Sequence, residues 1–150
     1  MTDNLQYYPT PVGLAQKAWA LFKNKRFTRV LEPSAGEGHL AKVDRTIVVD
    51  GRSYSCNHVT IDCIELDVSK HPLLRKKGME VVGIDFMRFK QGAIYSHIIM
   101  NPPFMYGVQH VLHAWDIMYD GEIVAIINAE TIKNPFSKER EFLVGLIEKH

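Results

Sequence analysis

The sequence predicts one α/β domain built on a mainly parallel, doubly wound sheet. Helical patterns alternate with short strands along the 150 residues. Several of these strands are near-continuous apolar runs, such as Ile123–Ile127. Apolar strands that alternate with helices are typical of a parallel sheet covered on both faces. In sheets of this kind, ligands bind at the carboxyl ends of the strands.

The composition is that of an ordinary globular chain, with 46% hydrophobic residues, 23% charged residues and a net charge of +1. This charge neither indicates nor excludes nucleic-acid binding, because acids elsewhere can balance a local basic face. The polar start at Met1 lacks the pattern of a signal peptide, and no apolar run reaches the ~20 residues that span a membrane. Cys56 and Cys63 have no partners for a zinc site or a disulfide framework, so we expect free thiols and a cytoplasmic protein.

Hydrophobic periodicity and turn residues predict the helices and strands. Residues 12–23 form the first predicted helix, with an apolar stripe at Leu14, Ala18, Leu21 and Phe22. Thr10 and Pro11 suit its N-cap and its first turn. Further helices are predicted at 70–77, 108–119 and 135–149, and strands at 29–32, 59–64, 79–84, 96–100 and 122–128.

The segment after the first strand departs from a simple alternation. A helix that begins at Gly38 would be expected to run for several turns, but Thr46–Val49 is β-branched and Asp50-Gly51 favours a turn. We therefore predict an inserted hairpin with strands at 46–49 and 53–56. The sequence indicates no role for this insertion.

The first strand runs into a turn rich in small residues. Gly36 and Gly38 allow a positive φ and a close approach of a ligand to the backbone. The third glycine of the dinucleotide fingerprint is absent, and so is the Gly-Lys-Ser/Thr of a phosphate-binding loop. A cofactor cradle and a plain tight turn therefore both remain open at this point.

Acidic residues follow the next two predicted strands. Glu65, with Asp67 as the alternate, suits the hydroxyls of a ribose, although a solvated acid at a strand end has the same pattern. Asp85 followed by Phe86 offers an acceptor for an amine and a flat face for stacking, as in an adenine pocket. The alternative is a helix-capping Asp beside a Phe of the core.

The strand at 96–100 ends at Asn101-Pro102-Pro103-Phe104. The two prolines end the strand and hold the next backbone rigid. An amide, a stiff loop with free carbonyls and an aromatic ring are suited to grip a planar group that carries an exocyclic amine. His110 and His113 follow, but the seven histidines lack the carboxylate or Cys setting of a metal site.

Taken together, these motifs resemble the class I S-adenosylmethionine-dependent methyltransferases, and specifically those that methylate amino groups of nucleic-acid bases, such as the N6-adenine DNA methyltransferases. Residues 31–38 resemble the first cofactor motif, residues 64–67 the second and residues 83–86 the third. Residues 101–104 resemble the catalytic (D/N/S)PP(Y/F/W) loop, and residues 8–11 the motif beside the methionine end of the cofactor. The resemblance covers nearly the whole chain and implies a Rossmann-like fold.

The resemblance also implies roles for individual residues. Asn101 and the Pro102 carbonyl would accept hydrogen bonds from the target amine, with Pro103 stiffening the loop and Phe104 stacking on the base. Residues that would line S-adenosylmethionine are Thr10, Pro11, Glu32, Pro33, Ser34, Ala35, Gly36, Gly38, Glu65, Asp85 and Phe86. No metal is implied.

The chain departs from the family pattern at its end, where we find no room for the final antiparallel strand pair or for a target-recognition region. A longer protein, or another copy of the chain, is expected to complete the sheet. DNA is the favoured target, and RNA bases and protein glutamine are the alternatives. A further alternative is that the chain is not an enzyme but an inactive partner subunit that binds the cofactor.

Overall fold

Five short strands form one parallel sheet at the centre of the chain. The computed structural model describes residues 9–41, 46–55, 59–135 and 137–150. In chain order the strands are β1 (Val30–Glu32), β2 (Thr46–Val49), β3 (Arg52–Ser55), β4 (Ile61–Ile64), β5 (Glu80–Gly83), β6 (His97–Met100) and β7 (Glu122–Ala125). The helices are α1 (Val12–Ala20), α2 (His71–Lys76), α3 (Gly107–Ile117), α4 (Glu130–Lys133) and α5 (Lys138–Lys149).

The sheet has the strand order β5-β4-β1-β6-β7, with β1 in the middle. Every neighbouring pair in it is parallel, and Leu31 of β1 pairs with Asp62 on one side and Ile98 on the other. This confirms the predicted α/β class with a Rossmann-like, doubly wound parallel sheet. None of the helices within the described ranges is long and apolar enough to cross a membrane.

The central strands β1, β4 and β6 are buried on both faces, whereas the edge strands β5 and β7 are half-buried or exposed. Neighbouring residues of a strand point to opposite sides, so both sides of the central strands need a covering layer. Val30 and Ile99 belong to one hydrophobic cluster, together with residues of α1 and α2. Leu31 and Ile98 belong to a second cluster, together with Ala114 of α3. Helices therefore cover both faces, as the near-continuous apolar strands predicted.

The stripe buried by α1 and the turn after it agrees with the predicted one at Ala18 and Phe22 but not at Leu14 and Leu21. Ala15, Ala18, Trp19 and Phe22 are each at most 3% exposed, whereas Leu21 is 69% exposed. The buried set follows the helical spacing and takes in Trp19, whose indole N–H donates to the Leu40 carbonyl at 2.8 Å. Leu14 is 41% exposed, so the prediction that Leu14 and Leu21 face the core was wrong.

The inserted hairpin is present. Strand β2 pairs with β3 in antiparallel register, with Thr46 opposite Ser55. The second strand begins one residue earlier than predicted, and Cys56 lies outside the described residues. Residues 37–41 form turns and a bend, so no helix begins at Gly38 within the described residues of this segment. Helix α4 was not predicted, because its four residues fall between the strand predicted at 122–128 and the helix predicted at 135–149.

Cys63 is fully buried on β4. Burial, reinforced by the nearby carboxylates of Glu32, Asp62 and Glu65, raises the pKa of the Cys63 thiol to about 12. A thiol that stays protonated behaves as a small hydrophobic side chain. The prediction of a buried structural thiol is confirmed for Cys63.

A buried carboxylate ties the amino ends of three strands together. Asp62 of β4 is 2% exposed and accepts hydrogen bonds from Arg29 Nε at 3.1 Å and from the Tyr95 hydroxyl at 2.7 Å. Arg29 directly precedes β1, and Tyr95 lies just before β6. Burial also raises the pKa of the Tyr95 hydroxyl, so it remains a donor to Asp62. This network lies opposite the edge where ligands are expected.

His97 of β6 extends the polar network at that edge. Its Nε2–H donates to the Asn24 carbonyl at 2.7 Å, and its Nδ1 lies 2.7 Å from Ser96 Oγ. The ring is fully buried against Phe22 and Phe27. Burial lowers the pKa of His97, although the bond to the Asn24 carbonyl acts in the opposite direction.

We expect stability to fall as the pH drops below about 6.5, the pKa of an exposed histidine. The unfolded chain then binds a proton that folded His97 resists, so the contribution is complete above this pH and is lost toward the lower folded pKa. Burial lowers the pKa of His110 as well, so His110 contributes to the same loss of stability at low pH. Urea midpoints at pH 7.5 and 5.5 measure the loss.

The variant His97→Gln keeps a donor for the Asn24 carbonyl but cannot titrate, so its midpoint should change less between the two pH values. The control variant His39→Gln changes an exposed histidine. Its urea midpoint should shift between the two pH values as much as that of the wild type. Equal pH dependence in His97→Gln and the wild type would contradict this role of His97.

Candidate active site

The parallel sheet brings the predicted motifs to one edge. The carboxyl ends of β1, β4, β5 and β6 lead into Pro33, Glu65, Ile84 and Asn101 respectively. Two hydrogen bonds then join motifs that are far apart in sequence, one between Gly36 and Glu65 and one between Asn101 and Thr10. The edge predicted to hold a ligand is therefore a physically connected set of loops.

The loop after β1 is a tight turn that packs on its neighbours. Glu32, Pro33, Ala35 and Gly36 are buried, and Ser34 is half-buried. The Ala35 N–H donates to the Ile64 carbonyl at 3.0 Å, which fixes the loop against the end of β4. Gly36 adopts a φ of 57°, in the region that favours glycine. The chain can therefore turn sharply at the point where a ligand would approach.

Gly38 has a packing role that the sequence did not reveal. Its φ is 87°, and a Cβ at this position would lie 2.5 Å from Met79 Cε and 3.3 Å from Leu74 Cδ2. The absent side chain makes room for α2 and β5 beneath the loop. This explains the second glycine of the motif by packing, in addition to the predicted approach of a ligand.

Glu65 holds the loop after β1 in place. One carboxylate oxygen accepts from the Gly36 N–H at 2.7 Å, and the other accepts from the Asp67 N–H at 2.6 Å. Each oxygen has a second lone pair for a further donor such as a hydroxyl. The alternate acid, Asp67, instead accepts from the Ser69 N–H at 3.1 Å and caps the turn at 68–70. Of the two acids, Glu65 contacts the cradle.

Asp85 and Phe86 make the contacts expected of a helix-capping Asp beside a Phe of the core. Asp85 accepts from the Met87 N–H at 3.0 Å, and Phe86 is 3% exposed against the rings of His113 and His110. The Asp85 carboxylate remains exposed, so it can still accept from a ligand. The Phe86 ring is a core side chain, and a cofactor role for the pair stays a prediction.

The Asn-Pro-Pro-Phe loop leaves β6 in a stiff conformation. Asn101 is half-buried and Pro102 is buried. After Pro103, with φ −52° and ψ 134°, the chain enters a short 3-10 turn at Phe104–Tyr106. The Phe104 side chain is 61% exposed at the rim. The amide is thus held within the protein while the aromatic ring is open to a partner.

Thr10 and Pro11 take up different positions from those predicted. Pro11 is itself the N-cap of α1, which has no side-chain cap. Thr10 is 7% exposed, and its Oγ1 accepts from Asn101 Nδ2 at 3.0 Å. The hydroxyl therefore binds the Asn-Pro-Pro-Phe loop and does not cap the helix, which corrects the capping prediction. Tyr8, the first residue of that motif, lies outside the described residues.

A cavity of about 490 Å³ opens beside the Asn-Pro-Pro-Phe loop. Its walls come from that loop, the start of α3, the chain after β7, Thr131 of α4 and the first turn of α5. Gln109 Nε2 donates to Glu139 Oε2 at 3.0 Å, which joins α3 to α5 at the wall. The cavity mixes apolar and amide groups, as small-molecule pockets do.

Sequence reasoning missed most of the polar residues of this cavity, among them Asn128 and Thr131. The Thr131 N–H donates to the Asn128 carbonyl at 3.0 Å, and Thr131 is 3% exposed. Asn128 follows the fifth parallel strand, so the same strand-end rule could have found it. Within the described ranges no cluster of three His, Cys, Asp or Glu could hold a metal ion.

The parallel sheet, with helices on both sides and a connected carboxyl edge, defines a Rossmann-like α/β fold. One solved structure with this likeness is the methyltransferase subunit of a type I restriction-modification system from Streptococcus thermophilus, with a TM-score of 0.63 and 15% identity. The alignment covers 93% of this chain and 37% of that chain, so the likeness is to about a third of the subunit. At this identity the likeness shows the fold.

A second structure, a fibrillarin/Nop5p complex, is similar with a TM-score of 0.44 and 17% identity, over 81% of this chain and 59% of that chain. No protein-family model matches the sequence. A search of curated proteins also finds no similar sequence.

We predict that Gly38→Ala lowers the free energy of unfolding by about 1–3 kcal/mol, because it adds a methyl group to a packed site and forces a left-handed conformation on alanine. Met79 can shift to relieve part of the contact, but the backbone penalty remains. Urea denaturation at neutral pH measures the change.

The matched control is Gly13→Ala in α1, where a Cβ would meet nothing within 4 Å. It should leave stability unchanged or raise it by up to about 1 kcal/mol, since alanine favours helices. A loss at Gly38 no larger than the effect at Gly13 would overturn the packing role.

Proposed function

We propose that this chain is the cofactor-binding domain of an S-adenosylmethionine-dependent methyltransferase that acts on an exocyclic amino group of a nucleic-acid base. Adenine N6 in DNA is the favoured target. The observation that carries the proposal is the Asn101-Pro102-Pro103-Phe104 loop, which holds an amide at the wall of a cavity of about 490 Å³. The fold, shared with a restriction-modification methyltransferase subunit, supports it.

The residues at the carboxyl edge fit a nucleoside cofactor. The loop after β1 has a sharp turn at Gly36, and the Glu65 carboxylate beneath it has acceptor capacity for the ribose hydroxyls. Asp85 offers an exposed acceptor for the adenine amine. Thr10 and Pro11 would border the methionine end. The remaining motif residues Glu32, Pro33, Ser34 and Ala35 would shape the floor between them.

S-adenosylmethionine supplies, when bound, a methyl group on a positively charged sulfur. The chain has to orient the attacking amine, which is a weak nucleophile because its lone pair is delocalised into the aromatic ring. Asn101 Oδ1 and the Pro102 carbonyl can accept the two amine hydrogens and so favour a pyramidal nitrogen. Two acceptors held by a proline-stiffened loop amount to electrostatic preorganisation, without a strong base or a metal.

Phe104 suits the base that carries the amine. Its ring is 61% exposed at the mouth of the cavity. A base stacked on an aromatic ring gains ~1–3 kcal/mol, which offsets part of the cost of flipping it out of a duplex. The cavity volume is within the usual range for small-molecule sites. RNA bases, protein glutamine and an inactive partner role remain the alternatives that the experiments below separate.

We expect the protein to transfer label from methyl-labelled S-adenosylmethionine to DNA, at adenine N6, more than to RNA or protein. Asn101→Ala should lower transfer by at least about a hundredfold, because one of two acceptors for the amine is lost. Cofactor affinity, measured by calorimetry, should stay within about threefold, since this side chain faces the target.

Label in RNA or protein instead of DNA would replace the favoured target by that alternative. Cofactor binding with no transfer to any pool would contradict the enzymatic proposal and favour an inactive partner subunit. Equal losses of transfer and of cofactor affinity in Asn101→Ala would contradict the role given to Asn101.

We expect Asp85→Asn to weaken cofactor binding by about tenfold or more, because an amide N–H₂ would replace a carboxylate oxygen opposite the adenine amine. The substitution retains an oxygen that can accept from the Met87 N–H, so the turn at 86–88 should survive. Calorimetry with S-adenosylmethionine measures the affinity.

The control Asp120→Asn lies on the exposed turn before β7 and should leave affinity unchanged. If Asp85→Asn binds as tightly as the wild type, Asp85 is a helix cap and no more.

A further inference from the structure

One hydrogen bond joins the two ends of the candidate site. Asn101 Nδ2 donates to Thr10 Oγ1 at 3.0 Å, across 91 positions of sequence. Thr10 is 7% exposed and Asn101 is half-buried, so water competes weakly for either group. A hydrogen bond between one buried and one half-buried side chain restricts the orientation of both groups as well as their position.

We propose that Thr10 is a positioning residue that sets the orientation of the Asn101 amide. The inference rests on the proposed function, because it concerns which end of that amide faces the target amine. The carbonyl and amino ends of an Asn side chain have nearly the same shape, but only the carbonyl oxygen can accept from an amine. A hydroxyl can donate or accept, and in this structure the Thr10 hydroxyl accepts from the amino end, which leaves Oδ1 for the target amine.

The Thr10 hydroxyl is held firmly enough for this role. Pro11 follows it with φ −58° and ψ 145°, and a residue before proline is restricted to extended conformations. Helix α1 begins at once and is anchored by Trp19, which is 1% exposed and bonded to the Leu40 carbonyl. The partner amide is held from the other side by buried Pro102. Both ends of the bond are therefore fixed to the core.

The opposite orientation would place two N–H groups against the target amine. Such a donor–donor contact would repel the amine in place of accepting its hydrogens. Without Thr10 the amide can turn over, so a fraction of the molecules would carry a misoriented catalytic group. The loss should appear in the catalytic step, since misplacement of a catalytic group can cost on the order of a hundredfold.

A competing role for Thr10 is simply to line the methionine end of the cofactor. The two roles differ in what they change. A lining residue affects cofactor affinity, and a positioning residue affects kcat at saturating cofactor.

The experiment compares Thr10→Val, which keeps the shape but removes the hydroxyl, with Thr10→Ser, which keeps the hydroxyl. We expect Thr10→Val to lower kcat by about tenfold to a hundredfold at saturating cofactor. Cofactor affinity should change less than threefold, and Thr10→Ser should restore most of kcat. The control Thr28→Val makes the same change at an exposed site before β1 and should leave kcat unchanged.

Wild-type kcat in Thr10→Val would overturn the inference while leaving the proposed function intact. A loss confined to cofactor affinity would also overturn it and would establish the lining role. If the serine variant is as slow as the valine variant, shape and not the hydroxyl controls the loop, and the inference fails.

A second readout does not depend on catalysis. In NMR spectra of ¹⁵N-labelled protein, the Asn101 side-chain amide is identified by its disappearance in Asn101→Asp. Its protons should exchange slowly with water in the wild type and in Thr10→Ser, and at least tenfold faster in Thr10→Val. Unchanged exchange in Thr10→Val would overturn the inference even if no acceptor were methylated, so its failure is distinguishable from failure of the proposed function.

Discussion

Pairing of β1 on both sides is the constraint on which the rest of the structure depends. This strand has only Val30, Leu31 and Glu32, and all three are buried. It aligns with β4 through Leu31 and Asp62, and with β6 through Leu31 and Ile98. Because parallel neighbours need crossover connections, the chain must pass over the sheet between strands. All five strands of the parallel sheet therefore end at the same edge.

The register of these pairs is reinforced at the far edge of the sheet. Asp62 binds Arg29 and Tyr95, and the Thr28 and Arg29 N–H groups donate to Ser96 Oγ. A shift of one residue would turn the inward side chains of a strand to the other face and break these bonds. Polar contacts at one edge thus fix where the loops leave the other edge, and the candidate site depends on that placement.

The alternation of elements could be predicted because it rests on local patterns. Apolar runs such as His97–Met100 and the turn at Asp50-Gly51 depend on burial and backbone preferences that each segment carries itself. The parallel sheet alone was enough to predict that the motifs at the strand ends lie at one edge. Element ends were less predictable, because they depend on neighbours. Pro11 is the N-cap of α1, and the strand predicted over 122–128 ends at Ala125.

The sequence by itself determined the fold class, the order of the motifs and the stiff amide-bearing loop after β6. Only the tertiary structure decided what each motif residue contacts. Gly38 makes room for Met79, Phe86 lies in the core against two histidines, and Thr10 binds Asn101 in place of capping a helix. The reason is physical: backbone preference acts over a few residues, whereas a hydrogen-bond partner 91 positions away is set only when the sheet and its helices pack.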